Sequence, residues 1–368
     1  MNIGITCYPT YGGSGAVATE LGIALAARGH EVHFITYQQP FRLPSYLPRI
    51  FFHEVDAGRY PLFEYPPYDL ALAVRMHEVV LTRELDLLHV HYAIPHAISA
   101  HLAKQILRSN LKVITTLHGT DITLVGRDES YLPITKFGIE VSDGVTAVSE
   151  WLKQETAANF HTDKAIDVIP NFVDPQRFKR DGAICNMFAA PGDRLVCHVS
   201  NFRPVKRVMD VVETFAEIAK KVPARLLMLG DGPDRSKAEA FARAHGLRDR
   251  VFFLGNVPNL EEILGGCDLF LLPSESESFG MAALEAMASE VPVIATSTGG
   301  LPEVVADGDA GYLLPVGDVA GMAERGIEIL RDDELRRRMG KRAREIAVEN
   351  FDEEKIVPRY RELYERTI

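Results

Sequence analysis

Cysteine is scarce in this sequence, and its spacing argues against two classes of protein. Four cysteines are spread over 368 residues, and no two of them form a Cys-x-x-Cys pair. This spacing disfavours a disulfide framework and a structural zinc site. It is the usage expected in a reducing cytoplasm, and we predict that location. The four residues are Cys7, Cys185, Cys197 and Cys267.

Basic residues are fewer than acidic ones, and long apolar runs are absent from the sequence. The chain has 51 Asp and Glu against 40 Lys and Arg, which gives a formal net charge of −11. Such a charge repels polyanions, so we expect neither nucleic acid nor an anionic membrane as a partner. No apolar run reaches the roughly 20 residues of a membrane-spanning helix, and the first residues predict a β-strand rather than a secretory leader. We therefore expect small-molecule partners.

The sequence does contain a steady alternation of strand and helix patterns. With 46% hydrophobic and 25% charged residues the chain is expected to fold, and 368 residues suit two domains. Residues 2–8 and 31–36 predict strands with a helix over 16–27 between them, which is a βαβ unit. Further strands are predicted at 87–91, 112–117 and 144–148 in the first half, and at 195–200, 224–229, 251–255, 268–272 and 291–296 in the second.

The boundary between the halves is predicted where this alternation stops. Residues 167–193 mix proline, glycine and charge, as a connection between domains does. We predict an α/β protein with two Rossmann-like domains, over residues 1–168 and 169–350. Residues 351–368 predict a helix that packs back toward the first domain. Its apolar face would be Ile356, Tyr360, Leu363 and Tyr364.

A glycine-rich loop, residues 12–15, follows the first predicted strand. Gly13, Ser14 and Gly15 would let a ligand approach backbone N–H groups at the positive end of a helix, which predicts an anion site. The spacing Gly-x-Gly-x-x-Ala from Gly13 also fits a loose dinucleotide fingerprint. However, residues 36–39 (Thr-Tyr-Gln-Gln) lack the acid that holds a nucleotide ribose in that motif, which disfavours a dehydrogenase. A turn that merely packs helix on sheet is the alternative.

Two carboxylates, Glu277 and Glu285, follow the predicted strand 268–272. On a helix their spacing corresponds to about 12 Å along the axis and to one broad face. We predict that they contact the two ends of one extended ligand. Between them the N–H groups of residues 278–282 would suit a diphosphate. The alternative is a solvent-facing helix with scattered acids.

Three cations, Arg203, Lys206 and Arg207, follow the predicted strand 195–200. A diphosphate leaving group needs positive charge as its bond to a sugar breaks, and Lys206 with a neighbouring arginine would supply it. An ordinary charged loop before a helix is the alternative.

Histidines lie on or just after two predicted strands of the first half. His118 follows the predicted strand 112–117 at a carboxyl edge, where side chains often face a ligand. His89, His91 and His96 suggest a metal cluster only superficially, because no acidic partner accompanies them. We predict structural roles for these three and no metal site.

Two short loops of the second half give weaker signals. Gly230 and Gly232 follow one predicted strand, and Gly255, Asn256 and Val257 end another. Both loops would wrap a nucleotide, and plain turns are the alternative.

The motif Glu-Ser-Phe-Gly-x-x-x-x-Glu in a second α/β half, with a glycine-rich loop in the first, resembles the retaining glycosyltransferases of family 4, which have the GT-B fold. The resemblance covers essentially the whole chain. It implies two domains that face each other across a cleft, the first binding an acceptor and the second a nucleotide sugar. It implies that Glu285 holds the donor ribose. It further implies that the sugar is held by Glu277, Ser278, Phe279, Gly280 and Met281, and the diphosphate by Ala282 and Ala283.

The same resemblance implies catalytic roles for His118, Lys206 and Glu277. Lys206 matches the family lysine, whereas Asn201 stands where the family has an arginine. Arg203 or Arg207 is therefore a candidate substitute. The remaining donor contacts would come from Gly13, Asn201, Arg203, Lys206, Gly230, Gly232, Gly255, Asn256 and Val257.

Local strings such as HVHYAIPHA, THGTDITLVG and HVSNFRPVKR are more similar to the family members that begin bacillithiol biosynthesis. This similarity implies UDP-N-acetylglucosamine (UDP-GlcNAc) as donor, L-malate as acceptor, a retained anomeric configuration and a homodimer. Malate is a dianion, which would suit amides and hydroxyls near a helix start. The acceptor set would be Gly13, Ser14, Gly15, Tyr92, Thr116 and Thr120.

No carboxylate nucleophile is evident in the sequence, which favours a front-face mechanism. In it the leaving phosphate takes the acceptor's proton, and neither a metal nor a cofactor is expected. Three alternatives remain: a nucleotide-sugar 2-epimerase, a binding protein that has lost turnover, and a transferase acting on inositol phosphate or a polysaccharide end.

Overall fold

The computed structural model describes residues 1–58, 64–181 and 187–368. The chain forms two compact units, which we call the first unit (Met1–Pro170 with Glu354–Ile368) and the second unit (Asn171–Glu353). Cys185 lies outside the described residues. Cys7, Cys197 and Cys267 are buried thiols inside the two units.

The first unit contains a parallel sheet in the strand order β3-β2-β1-β4-β5-β6-β7. Most residues of its strands are buried, as expected where helices cover both faces. Its elements are β1 (Asn2–Thr6), α1 (Gly13–Ala27), β2 (Glu31–Thr36), β3 (Ile50–Glu54), α2 (Tyr68–Arg83), β4 (Leu87–His91), α3 (Ile98–Leu107), β5 (Lys112–Leu117), α4 (Leu132–Val141), β6 (Gly144–Ala147), α5 (Glu150–Phe160), β7 (Asp167–Val168) and, after the second unit, α13 (Glu353–Thr367).

The second unit repeats this arrangement with the parallel strand order β10-β9-β8-β11-β12-β13. Its elements are β8 (Arg194–Val199), α6 (Val208–Ala219), β9 (Ala224–Leu229), α7 (Arg235–Ala244), β10 (Val251–Gly255), α8 (Leu260–Leu264), β11 (Leu269–Leu272), α9 (Met281–Ala288), β12 (Val293–Thr296), α10 (Leu301–Val304), β13 (Gly311–Leu314), α11 (Val319–Arg331) and α12 (Asp333–Phe351). In both units the order reverses between the first and fourth strands. This switch point is where α/β sheets bind ligands, outside the carboxyl ends of the strands.

The predicted α/β class is confirmed, and the predicted strands lie within two residues of the observed ones. Three strands were missed, each for a local reason. β3 is an edge strand with half-exposed Phe51 and Phe52, β7 has 2 residues, and β13 is a 4-residue edge strand. Short or half-exposed strands lack the continuous apolar run that marks a central strand.

The last helix, α13, belongs to the first unit although the second unit precedes it in the chain. It buries Ile356, Tyr360, Leu363 and Tyr364 along one face. The hydroxyl of Tyr364 lies 2.7 Å from Nδ1 of His89 on β4, so the helix is tied to the central sheet by a buried polar contact as well as by packing. Among the described residues, no helix has the length and apolar character needed to cross a membrane.

Candidate functional site

In the second unit, the loops that follow β8 and β11 meet at the switch point of the sheet. β8 and β11 are adjacent parallel strands, so their carboxyl ends lie at the same edge. The first loop contains a short 3₁₀ turn over Pro204–Lys206. The backbone N–H of Glu275 in the second loop donates to the carbonyl of Val205 in the first, at 2.8 Å. The two loops are therefore joined through their main chains.

Lys206 and Glu277 form an ion pair across these two loops. Nζ of Lys206 lies 2.6 Å from Oε1 of Glu277, and the hydroxyl of Ser274 donates to the same oxygen at 2.9 Å. The two side chains are 20% and 13% exposed, so the pair is partly shielded from water. The structure thus brings together two of the predicted catalytic residues within one unit.

The prediction that Glu277 and Glu285 share one helix face is wrong. Helix α9 begins at Met281, and Gly280 before it has a left-handed backbone with φ +96°. Glu277 therefore lies in the preceding loop, whereas Glu285 is buried within the helix.

The start of α9 has the features of an anion site. No acidic residue lies in its first turn and no side chain caps it. The N–H groups of Met281, Ala282 and Ala283 have no acceptor within the helix, as in any first turn. Such groups, with the helix dipole, favour negative charge. Phe279 is buried just before this turn and packs edge-on against Phe351, with ring centroids 5.5 Å apart.

A third loop, which follows β12 and contains Gly299 and Gly300, packs against the backbone of Glu277. The sequence motifs did not predict this contact. The N–H of Gly300 donates to the carbonyl of Glu277 at 2.9 Å. A Cβ on Gly299 would lie 1.8 Å from the same carbonyl oxygen, and one on Gly280 would lie 2.5 Å from Leu301. The Gly-Gly pair after the predicted strand 291–296 was the available signal.

The structure separates the two candidate arginines. Nε of Arg207 donates to the carboxylate of Asp210 at 2.7 Å, and this bond raises the pKa of Arg207. Arg203 is exposed and forms no ion pair with any residue in the described ranges. Asn201, in the family arginine's place, is half-buried. Arg203 is therefore the better candidate to meet an anion.

Gly230 and Gly232 are required by close backbone packing. A Cβ on Gly230 would lie 1.8 Å from the carbonyl oxygen of Ser200, and one on Gly232 would lie 2.1 Å from that of Asn201. The N–H of Gly230 donates to the carbonyl of Gly255 at 2.7 Å. Beyond this bond, Asn256 is exposed and Val257 is half-buried. The loop of Gly230 and Gly232 is thus packed directly on the loop that carries Lys206, and the loop of Gly255 is bonded to Gly230.

In the first unit, helix α1 begins at Gly13, three residues earlier than predicted. Gly13 and Ser14 lie in its first turn, which has no acidic residue and no side-chain cap. Gly15 is needed for packing, because a Cβ there would lie 2.5 Å from the carbonyl oxygen of Tyr8. The loop therefore combines an uncapped helix start with the packing function considered as its alternative.

His118 pairs with His91 below the carboxyl edge of β5. Nε2 of His118 lies 2.8 Å from Nδ1 of His91, and the two rings stack at 5.0 Å. Burial lowers the pKa of His118 to about 3, so its ring is neutral at physiological pH. Tyr92 covers it, with ring centroids 5.4 Å apart. His118 is therefore a fixed, uncharged ring.

The predicted acceptor residue Thr116 has its hydroxyl occupied inside the sheet. It lies 2.7 Å from Nε2 of His89 and 2.7 Å from the hydroxyl of Thr146. Since Thr116 is also fully buried, its hydroxyl is part of the core rather than of an exposed pocket. His96 bonds the carbonyl of His91. Among the described residues no cluster of three or more His, Cys, Asp or Glu side chains could hold a metal ion.

Asp121 is a buried carboxylate whose structural role the sequence motifs do not predict. Its carboxylate accepts from the backbone N–H groups of Ala93 (3.0 Å), His118 (3.2 Å) and Gly119 (2.9 Å). Burial raises its pKa to about 6, although these bonds oppose the shift. Thr120 beside it is half-buried. Asp121 thus joins the loop after β4 to the loop after β5.

Comparison with known proteins agrees with this architecture. Residues 11–177 match the family described as Glycosyltransferase Family 4, and residues 187–346 match Glycosyl transferases group 1. The fold resembles the sucrose-phosphate synthase of Thermosynechococcus elongatus (TM-score 0.82, 24% identity, 100% of this chain and 98% of that chain). It also resembles Anabaena Alr3699/HepE in complex with UDP-glucose (TM-score 0.82, 20% identity, 100% of both chains). The fold class is that of the GT-B glycosyltransferases.

The chain belongs to the family 4 glycosyltransferases. It is 52% identical to the N-acetyl-alpha-D-glucosaminyl L-malate synthase of Bacillus anthracis over 99% of this chain and 96% of that protein. It is 28% identical to the D-inositol 3-phosphate glycosyltransferase of Nocardia farcinica over 90% of this chain and 80% of that protein. The resemblance predicted from the sequence motifs is confirmed, and the protein is a glycosyltransferase enzyme.

Proposed function

We propose that this protein transfers N-acetylglucosamine from UDP-GlcNAc to the hydroxyl of L-malate with retention of the anomeric configuration, the first step of bacillithiol biosynthesis. The observation that carries the proposal is the 52% identity to an N-acetyl-alpha-D-glucosaminyl L-malate synthase over 99% of the chain. We further propose that it acts in the cytoplasm and as a homodimer. In this proposal the second unit binds the donor and the first unit binds the acceptor.

The second unit supplies what a departing nucleotide diphosphate requires. Glu277 holds Lys206 at the switch point, so the ammonium group is already in place before the donor binds. The first-turn N–H groups of α9 offer further positive charge in a fixed direction. Groups that are already oriented stabilise developing charge without a reorganisation cost. We assign Lys206, Arg203 and the start of α9 to the diphosphate, Glu277 to the sugar and Glu285 to the ribose.

The first unit supplies neutral polar groups for a small anionic acceptor. Gly13 and Ser14 lie in the uncapped first turn of α1, and Thr120 is half-buried on the loop beside His118. We assign these groups and Tyr92 to the acceptor. The neutral ring of His118, fixed by His91, is assigned to a donor-sugar hydroxyl. Thr116 supports this arrangement indirectly, because its carbonyl accepts from the N–H of Tyr92 at 2.9 Å.

The proposed reaction is a front-face displacement. The bond between the sugar C1 and the β-phosphate oxygen breaks, and the malate oxygen bonds C1 from the same face. The malate proton passes to the departing phosphate oxygen, so the products are the glycoside and UDP. Lys206 and the α9 amides take up the leaving-group charge, which is the task a metal performs in other transferases. Turnover in the presence of EDTA is accordingly expected to equal turnover without it.

An acceptor screen tests the proposal. The protein is incubated with UDP-GlcNAc and, in separate reactions, with L-malate, D-malate, inositol 1-phosphate, a simple sugar or water, and UDP release is followed. We expect rapid release with L-malate alone, and nuclear magnetic resonance of the product should show an α-linkage. UDP release that is independent of acceptor would contradict the proposal and favour a hydrolase. Conversion of UDP-GlcNAc into its C2 epimer, without release of UDP, would contradict it and favour an epimerase. Release with inositol phosphate alone would reassign the acceptor within the family.

A further inference from the structure

A buried histidine on β8, His198, lies directly beneath the loop that carries Lys206. Its Nδ1 lies 2.8 Å from the carbonyl oxygen of Leu271 on β11, and its Nε2 lies 2.8 Å from the hydroxyl oxygen of Ser200. The same hydroxyl oxygen lies 3.2 Å from the backbone nitrogen of Phe202. His198 is completely buried. One imidazole therefore spans the carboxyl ends of the two strands at the switch point.

The hydrogen bonds that link Leu271, His198, Ser200 and Phe202 each have one possible direction, which is set by the chemistry of the two bonded groups. A carbonyl only accepts, so Nδ1 of His198 carries a proton and donates to Leu271. Burial lowers the pKa of His198 to about 4, so its Nε2 has no proton and accepts from the hydroxyl of Ser200. The oxygen of Ser200 in turn accepts from the N–H of Phe202. No other assignment of donors and acceptors to His198 and Ser200 keeps all three bonds.

This chain of bonds holds an unusual backbone conformation. Phe202 has φ +44°, in the left-handed region that residues other than glycine seldom adopt. Such a conformation persists only where the surroundings fix it. Here the ring of Phe202 is completely buried and stacks on His198 at 6.0 Å, and its carbonyl accepts from the N–H of Asp234. The path of the chain from Ser200 toward Lys206 is therefore set at Phe202.

The same imidazole also fixes the loop that carries Glu277. Leu271 is next to the last residue of β11, and the loop with Ser274 and Glu277 follows that strand. Lys206 and Glu277 thus reach their 2.6 Å contact from two chain segments that are both bonded to His198. A shift of the ring or of Ser200 would move the two segments relative to each other.

We propose that His198 and Ser200 are positioning residues that hold Lys206 in register with Glu277 for the departing diphosphate. They act through the loop and touch no substrate themselves. The proposal rests on the proposed role of Lys206 at the diphosphate. A mere core function for His198 and Ser200 would change folding stability alone, whereas positioning changes turnover through Lys206.

A double-mutant cycle between Ser200 and Lys206 distinguishes these cases. The variants are Ser200→Ala, Ser200→Thr and Lys206→Ala, together with the double variant Ser200→Ala/Lys206→Ala. Each is assayed for kcat and KM with UDP-GlcNAc and L-malate and for its thermal midpoint. Ser142→Ala is the matched control, because the hydroxyl of Ser142 is buried and donates to a backbone carbonyl in the first unit.

We expect Ser200→Ala to lower kcat about tenfold, since small displacements of charge-stabilising groups are costly. Ser200→Thr should restore most of the rate. In the Lys206→Ala background, Ser200→Ala should change kcat less than about twofold, because coupled residues are not additive. Ser142→Ala should lower the thermal midpoint with kcat unchanged. An equal loss from Ser200→Ala in both backgrounds, or none in either, would overturn the inference.

Two substitutions of His198 separate its two bonds. His198→Asn retains a donor near the position of Nδ1 but cannot reach Ser200, so it should lose turnover as Ser200→Ala does. His198→Gln retains an acceptor near Nε2 and leaves the carbonyl of Leu271 unpaired, so it should lose stability more than turnover. The reverse order would contradict the positioning role. If Lys206→Ala itself left kcat unchanged, the proposed function of Lys206 would fail first, a result that the cycle reports separately.

Discussion

Nζ of Lys206 lies 2.6 Å from Oε1 of Glu277, although 71 residues separate them in the chain. The contact exists because β8 and β11 are neighbours at the switch point and end at the same edge. Each side chain compensates the charge of the other at a partly buried position, where a lone charge would be costly. A diphosphate that takes over Lys206 would release the carboxylate of Glu277 for sugar hydroxyls. Donor binding and the exposure of Glu277 are thus expected to be coupled.

Removal of the lysine should reduce turnover strongly. Lys206→Ala is expected to lower kcat on the order of 10²- to 10³-fold, the cost of deleting one group that stabilises transition-state charge. Lys206→Arg should recover little, because a planar guanidinium does not replace a compact ammonium. The measurement is steady-state release of UDP. Lys220→Ala, which removes an exposed lysine paired with Glu217, is the control and should leave kcat unchanged.

The coupling itself predicts the behaviour of Glu277→Gln. Without its ion-pair partner Lys206 no longer has to exchange a carboxylate for a phosphate, so UDP should bind at least as tightly as to the unsubstituted protein. Turnover should nevertheless fall, because the sugar loses a charged contact. Calorimetric titration with UDP beside the kinetic assay checks both parts. Weaker UDP binding with unchanged kcat would contradict the assignment of Glu277 to the sugar.

Substitution of Gly230 should destabilise the second unit by more than the left-handed backbone of Gly230 alone explains. A Cβ at Gly230 (φ +117°) would lie 1.8 Å from the carbonyl oxygen of Ser200. Gly246 is also left-handed (φ +69°) but has nothing within 4 Å of its added Cβ. We expect Gly246→Ala to cost about 1–2 kcal/mol of unfolding free energy from strain, and Gly230→Ala to cost clearly more and to lower UDP affinity. Circular dichroism during thermal unfolding compares them, and equal midpoints would refute the packing explanation.

The alternation of apolar runs and glycine-bounded turns was enough to predict both parallel sheets and most strand positions. The buried strand β11 is a continuous apolar segment, and β9 is apolar except for Arg225, so both can be predicted from their own residues alone. β3 could not be predicted in this way. It lies at a sheet edge, where residues that face solvent need not be apolar. Local pattern therefore sufficed wherever burial was complete.

The contacts within the sites depended on information that a linear sequence does not contain. The bond between His91 and His118 requires the β4–β5 register, which places His91 opposite Thr116. Glu277 lies outside α9 because Gly280 has a left-handed φ and the helix begins after it. The sequence does not reveal this φ, since glycine also occurs inside helices. By contrast, the pair Arg207 and Asp210 follows a local i, i+3 spacing and was predictable.

Substitution of Asp121 should disturb His118 without touching it. The carboxylate accepts three backbone N–H groups with its two oxygens. In Asp121→Asn one of these oxygens becomes an NH₂ group that faces an N–H donor, so one loop must move. We expect kcat to fall about tenfold or more, as misplacement of a site does. Asp128→Asn is the control, because Asp128 accepts a local bond from the backbone N–H of Ser130 in an exposed turn. Equal activity of both variants would show that the three bonds are dispensable.

The first unit should lose stability in mild acid because of its buried histidines. Burial lowers the pKa of His89 and His118 to about 3 and that of His96 to about 4, below the ordinary value of 6.5. Between these values the unfolded chain binds protons that the folded chain excludes, so the free energy of unfolding falls as pH drops from 6.5 toward 4. Asp121 opposes this trend, since its pKa is raised to about 6 and the folded state takes up its proton first.

His33 and His53 of the same unit, with pKa values lowered to about 4, add to the effect of these histidines, and Asp69, with a raised pKa, adds to that of Asp121. The histidines outnumber the carboxyls, and each lowers the free energy of unfolding by on the order of 1 kcal/mol per pH unit within this window. Trp151, the single tryptophan of the chain, lies on α5 in the first unit and reports its unfolding by fluorescence. The midpoint urea concentration should therefore be highest near pH 7 and clearly lower at pH 5. Asp121→Asn should make the fall between pH 6 and pH 4 steeper, because the opposing proton uptake is lost. A midpoint at pH 5 equal to or above that at pH 7 would mean that these histidines are protonated in the folded state.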